Sequence, residues 1–281
     1  MSLLIEILQG VLNMKIHDFD QAIVLAGPQE SRTNQLSPAY NNMVGPFGGV
    51  TAATLLKAVM THSEAVGDPV ALTVNYIGAI TASDIIIKPR LIKQNRSNAH
   101  WCIDASAEGE AILSATLVLA NRRETWNSTE IPCPQAPPLE QLSSIPEEQL
   151  MEWAKRYDMR FVKGNLFEEP VDDGGPTSES LAWIADKPYR KLDFLSLTAM
   201  CDSFFPRLFI RERTFAPIGT VSLTIHFHAS KADLESLPSA WLLAHARAGK
   251  YSQGYFDQTG ELWSQDGHLL ATTSQMVYYK Y

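Results

Sequence analysis

Cysteine is scarce in this sequence, with only Cys102, Cys133 and Cys201 among 281 residues. Their odd number and wide spacing argue against a disulfide framework and a clustered metal site, and suit a reducing compartment. Basic residues are in the minority, 23 Lys and Arg against 31 Asp and Glu, for a formal charge of −8. No basic block interrupts that balance, so nucleic acid is not an expected partner. No apolar run approaches the length of a membrane span, and no membrane is expected either. The opening "MSLLIEILQGVL" carries Glu6 and lacks a basic flank or a clear cleavage site. It reads as a short amphipathic helix packed on the first domain and not as a signal peptide, which makes the cytoplasm the expected location.

What is present is a 45% hydrophobic chain long enough for one large domain or two ordinary ones. Two segments repeat each other. "VALTVNYI" at 70–77 and "VSLTIHFH" at 221–228 share Val, Leu and Thr, pair Val74 with Ile225 and Tyr76 with Phe227, and alternate with the period of a half-buried strand. Each follows a helical segment, "GGVTAATLLKAVMTHSEAVG" in the first half and "LDFLSLTAMCDSFFPRLF" at 192–209 in the second. Each precedes further strand-like runs, with turn signals "AEGE" and "SQDGH" in matching places. Upstream of each helix, "MKIHDFDQAIVLAG" and "KRYDMRFVKGNLF" read as strand material. Between the halves, "NSTEIPCPQAPPLEQLSSIPEEQ" holds five prolines with little apolar periodicity and reads as a linker. The pattern predicts an α+β protein of two similar units, each an antiparallel sheet wrapped round one long helix. The units span residues 1–125 and 153–281, joined by a linker over 126–152.

The second helical segment poses a question. Phe194, Leu197, Cys201, Phe204 and Phe205 form an apolar stripe, and Asp202 lies directly beside it. An ionised carboxylate taken out of water costs several kcal/mol unless it is paired or hydrogen-bonded. Either the helix exposes Asp202, or other parts of the chain supply its partners.

Several other groups have ordinary readings. His226 and His228 stand two apart on a strand and could share a metal, but no further ligand is evident, so they read as a polar strand face. "HDFD" at 17–20 reads as an exposed strand side. Arg90, Lys93 and Arg96 fit a solvated rim as well as they fit phosphates. "GPFGG" lacks the Lys-Ser/Thr ending of a phosphate loop, so its glycines read as a tight turn or close packing. Trp183, Trp241, Trp263 and the "FFPRLF" run are candidates for an apolar wall or for plain core.

Taken together, the short amino-terminal helix, the lead-in Phe47–Gly48–Gly49 to the first long helix, and the tail "DGHLLATTSQ" resemble the acyl-CoA thioesterase II (TesB-like) family over nearly the whole chain. The resemblance implies two fused hotdog units, no cofactor and no metal, an acyl-CoA substrate, and self-association into a homo-oligomer. It also implies three catalytic residues: Asp202 in "MCDSFFP", Thr220 in "GTVSLTIHFH" and Gln275 in "ATTSQMV". Phe47, Gly48, Gly49 and Arg96 are the further candidates for contacting substrate. The chain departs from the family in "NRS" at 95–97, in Ser222–Leu223 after the hydroxyl, and in "SQMVYYKY" at its end.

Read without the resemblance, each of the three is unremarkable. A lone Asp is usually solvated, Gln275 could sit at the surface, and strand parity groups Thr220 with Ser222, Thr224, His226 and His228 on a polar face unless it precedes the regular strand. Read with it, the expected reaction is hydrolysis of acyl-CoA to free acid and coenzyme A by a water that Asp202, Thr220 and Gln275 activate and position. A mixed anhydride on Asp202 is the covalent alternative. An enoyl or hydroxyacyl thioester hydratase-dehydratase, which would want an Asp/His pair, and a non-catalytic acyl-CoA binder are the competing functions. The first long helix offers only Thr51, Thr54 and Lys57 as polar groups, so one site per chain is expected, at the junction of the units.

Overall fold

The computed structural model describes residues 16–168 and 177–280, so the amino-terminal helix expected over residues 1–12 lies outside the described residues. The strands are β1 (Arg32–Gln35), β2 (Asp68–Tyr76), β3 (Asp84–Gln94), β4 (Asn98–Ala107), β5 (Glu110–Ala120), β6 (Tyr157–Lys163), β7 (Ser180–Asp186), β8 (Ile218–Phe227), β9 (Leu242–Arg247), β10 (Tyr251–Ser252), β11 (Tyr255–Ser264) and β12 (Leu269–Tyr279). The helices are α1 (Asp18–Ala22), α2 (Gly48–Met60), α3 (Phe194–Met200), α4 (Arg207–Glu212) and α5 (Lys231–Ser236).

Among the described residues all twelve strands join one sheet in the order β1-β3-β4-β5-β2-β8-β12-β11-β9-β7-β6, with β10 paired to β11. Period-two alternation sets which face is buried: Ile85 and Ile87 on β3, and Ala99, Trp101, Ile103 and Ala105 on β4, all point inward. The two repeated segments are the strands that pair across the middle, β2 against β8. Thr73 faces Thr224, its own counterpart in the repeat, and their hydroxyls are hydrogen-bonded at 3.1 Å. The pseudo-twofold of the chain therefore runs between those two threonines.

Helix α2 is buried almost all round, as its Ala- and Leu-rich sequence allows. Its two threonines are satisfied within the helix, Thr51 donating to the Phe47 carbonyl at 2.9 Å and Thr54 to that of Val50 at 2.8 Å. Helix α3 begins with a capping box between Asp193 and Ser196 and packs against α2. The contact is close: a Cβ on Gly49 would stand 2.5 Å from the Ala199 carbonyl oxygen, so only glycine fits.

The structure corrects two expectations and decides between the two readings of the tryptophans. Residues 192–209 are not one helix; α3 stops at Met200 with Cys201 as its cap, and α4 starts after Pro206. Pro206 has no N–H to donate and disfavours helical geometry at Phe205, which keeps α3 and α4 from joining into one helix. The second unit's central helix is accordingly short. "HDFD" is not a strand but the start of α1, where the His17 ring accepts from the Phe19 amide. Its carboxylates tie the halves together, Asp18 to Arg156 at 2.7 Å and Asp20 to Arg190 at 2.8 Å. Finally, Trp183 and Trp263 pack with Leu181 and Leu243 beneath the proline-rich stretch, whose Cys133, Ala136, Leu139 and Leu142 cover them, with Trp241 alongside. The Trp183 indole donates to the Pro137 carbonyl at 3.1 Å. That stretch is a strap over the sheet, and these tryptophans belong to its underside.

Candidate active site

A cavity of about 790 Å³ opens at the junction of the units. From the first half, Phe47, Gly48 and Tyr76 line it; from the second half come Asp202, Thr220 and Gln275. Its aromatic wall crosses the same boundary. Phe47 stacks on Trp153 with ring centres 4.3 Å apart, Trp153 meets Phe205 at 6.1 Å, and Phe167 meets Phe205 edge-on at 5.7 Å. The run 203–206 that carries Phe204 and Phe205 is held from behind by Arg207. Its buried guanidinium donates to the carbonyls of Phe205, Ser178 and Ala246 and to the Ser180 hydroxyl. Burial pulls the Arg207 pKa down to about 9.

Asp202 occupies the turn after α3 and points at the start of α2. Gln275 donates its Nε2 to Asp202 Oδ1 at 2.7 Å, and the Gly49 amide donates to the same carboxylate. A helix start suits an anion, because its first N–H groups lack partners within the helix. Gly48 makes room: a Cβ there would lie 2.8 Å from Asp202 Oδ2 and 3.1 Å from the Tyr76 hydroxyl. That hydroxyl donates to the Gly48 carbonyl at 2.9 Å, fixing the turn. Burial pushes the Asp202 pKa up to about 7, against the opposing pull of Gln275 and the Gly49 amide. The carboxyl is thus poised between its protonated and ionised forms near neutral pH.

Thr220 reaches the cavity through a β-bulge. Along β8 and β12, Leu223 faces Gln275 and Ser222 faces Met276, but Thr220 faces Val277, leaving Val221 as the extra residue. The bulge reverses the parity, so Thr220 joins the inward face shared by Gln275 and Val277 instead of the polar face of Ser222 and Thr224. The polar-face reading of Thr220 is thereby overturned.

The four further candidates separate. Phe47 and Gly48 line the cavity, Gly49 stands behind it and contributes its amide to Asp202, and Arg96 is exposed in the turn between β3 and β4, away from the cavity. Arg90 and Lys93 are likewise exposed on β3 and absent from the lining. His228 bonds to the Thr272 hydroxyl at 3.1 Å, and among the described residues no cluster of three His, Cys, Asp or Glu could hold a metal ion. Residues that sequence reasoning did not assign to the site are Tyr76, Trp153, Phe167 and Gln258, all of which line the cavity. A signal for Gln258 was present: it shares the strand parity of Phe256, Gly260 and Leu262, which are buried inward-facing positions of β11.

The acyl-CoA thioesterase N-terminal domain family matches residues 37–120, and the acyl-CoA thioesterase C-terminal domain family matches residues 133–279. No curated protein matches the sequence. Among solved structures, a conserved protein of unknown function with hot dog fold from Alicyclobacillus acidocaldarius is 40% identical, covers 95% of this chain and 99% of its own, and superposes with a TM-score of 0.90. An acyl-CoA thioesterase II from Mycobacterium marinum is 16% identical over 94% of this chain and 98% of its own, with a TM-score of 0.73. The tesB protein of Mycobacterium avium subs paratuberculosis is 14% identical over 94% and 98%, with a TM-score of 0.75. At those lower identities the likeness is one of fold, and the fold is the double hot dog. No helix among the described residues is long and apolar enough to cross a membrane.

Proposed function

We propose, from the premise that the chain belongs to the acyl-CoA thioesterase family, that it hydrolyses the thioester of an acyl-CoA to free acid and coenzyme A. The observation that carries the reading is Asp202. It is a carboxyl with a pKa raised to about 7, held by the Gln275 amide and the Gly49 N–H in the lining of the cavity between the units.

The chemistry follows from those positions. A thioester carbonyl seated beside Asp202 needs a nucleophile, an acceptor for that nucleophile's proton, and donors for the oxyanion. Asp202 takes a proton from a water as that water's oxygen bonds to the carbonyl carbon. Thr220 and Gln275 fix the water and the carboxylate in line. The Gly48 N–H, the first of α2 and without an acceptor among the described residues, is the proposed oxyanion donor. When the tetrahedral intermediate collapses, the C–S bond breaks and the proton on Asp202 returns to the leaving sulfur. No histidine lies among the described lining residues, which disfavours a hydratase-dehydratase built on an Asp/His pair.

The test is release of free thiol from a panel of acyl-CoAs, short to long, straight, branched and aromatic. The expected outcome is steady turnover of at least one acyl class with stoichiometric free acid. Failure to release thiol from any member of the panel would sink the reading.

A further inference from the structure

Gln258 is one of four primary amides that line the cavity, with Asn42, Gln149 and Gln275, and the one that stands directly across from Gln275. It is 2% exposed, lines the cavity, and its side chain forms no hydrogen bond among the described residues. Its position is set by the sheet. On β11 it lies directly across from Gln275 on β12, so the two amides stand side by side on the inward face. Gln275 is committed to Asp202, whereas Gln258 is one strand farther from the carboxylate, flanked by Phe256 and Gly260. Phe204 closes over Gly260, where a Cβ would stand 2.9 Å from its ring. Gln258 thus marks the boundary between the polar cluster at the reacting carbonyl and the aromatic wall.

An amide that faces the cavity without a protein partner is solvated while the cavity holds water, becomes costly when an alkane chain displaces that water, and is favourable when a ligand group meets it. With the thioester carbonyl beside Asp202, as proposed above, a group on the neighbouring strand lies toward the first carbons beyond that carbonyl. We infer that Gln258 is a specificity-determining residue that selects acyl groups bearing an oxygen substituent near the thioester, as in 3-hydroxyacyl chains, over plain saturated ones. The inference rests on the thioesterase reading for its substrate, and it narrows that substrate's class.

The experiment compares a matched pair of hydrolysis-resistant thioether analogues of coenzyme A, one with a saturated chain and one with a hydroxyl at the third carbon. Binding is measured by calorimetry to wild type, Gln258→Leu and Gln258→Met. Wild type is expected to bind the hydroxylated analogue about ten- to a hundredfold tighter. Both variants are expected to lose that preference while binding the saturated analogue at least as well, which also reports that they are folded. Equal binding of the pair by wild type, or a preference that survives both substitutions, overturns the inference. The binding arm reads Gln258 whether or not thiol is released, so absent turnover counts against the thioesterase reading alone.

Discussion

Replacing Asp202 with asparagine is expected to lower kcat/KM for the best acyl-CoA by about 10²–10⁴-fold, the range that a positioned general base contributes. The substitution keeps the shape of the side chain, so the Gln275 contact and the room made by Gly48 can persist. It also removes a charge from a site where burial disfavours one. The variant is therefore expected to be folded and, above pH 7, at least as stable as wild type. Loss of activity together with an intact melting transition separates a chemical role from a structural one. An asparagine variant that turns over at the wild-type rate would remove Asp202 from the mechanism.

The second large effect concerns stability. Asp186, at the end of β7, is 3% exposed, and neither carboxylate oxygen has a hydrogen-bond partner among the described residues. Tyr157 faces it across the ladder, and the hydroxyls of Tyr157 and Tyr40 are also unpartnered. Burial pushes the Asp186 pKa up to about 7, with Arg190 pulling the other way. The sign of the consequence follows from proton binding. Between an unfolded value near 3.9 and a folded value near 7, the native state holds a proton that the unfolded chain has released. Stability therefore falls as pH rises through that window, and the full cost applies above it.

The rise from 3.8 to about 7 corresponds to at most ~4 kcal/mol, at roughly 1.4 kcal/mol for each tenfold change in proton affinity. Asp186→Asn is expected to raise the unfolding free energy at pH 8 by about 2–4 kcal/mol and to match wild type near pH 4. Urea unfolding at the two pH values checks both halves. Equal stability of variant and wild type at pH 8 would mean that Asp186 is ionised in the fold at no cost.

Much of this architecture was legible because strands announce themselves by alternation. "VALTVNYI" and "VSLTIHFH" gave the repeat, and the repeat located the seam where β2 meets β8. Asp202, Thr220 and Gln275, distant in sequence, line one cavity. The inward aim of Thr220 was not readable, because the bulge at Val221 depends on pairing with β12. The break at Pro206 was readable in principle, yet the apolar spacing of Phe204 and Phe205 imitated a continuing helix. Trp183 and Trp263 could be wall or core, because hydrophobicity marks burial and not which face of a sheet is buried; the strap at 133–142 supplied a second apolar face and made them core. Helix α1 is five residues long and capped by a histidine, too brief for periodicity to register. Arg96 was a candidate by its charge and by the resemblance at 95–97, and it stands exposed in the turn between β3 and β4, outside the cavity lining.

The pH dependence of kcat/KM for wild type and Asp202→Asn, corrected for uncatalysed hydrolysis, tests the central claim most directly. Wild-type kcat/KM is expected to rise about tenfold per pH unit below the Asp202 pKa of about 7 and to level off above it. The residual rate of the asparagine variant is expected to show no inflection there. A wild-type profile that is flat between pH 5 and 7, or an inflection that persists unchanged in the variant, would contradict a mechanism in which the Asp202 carboxylate takes the proton.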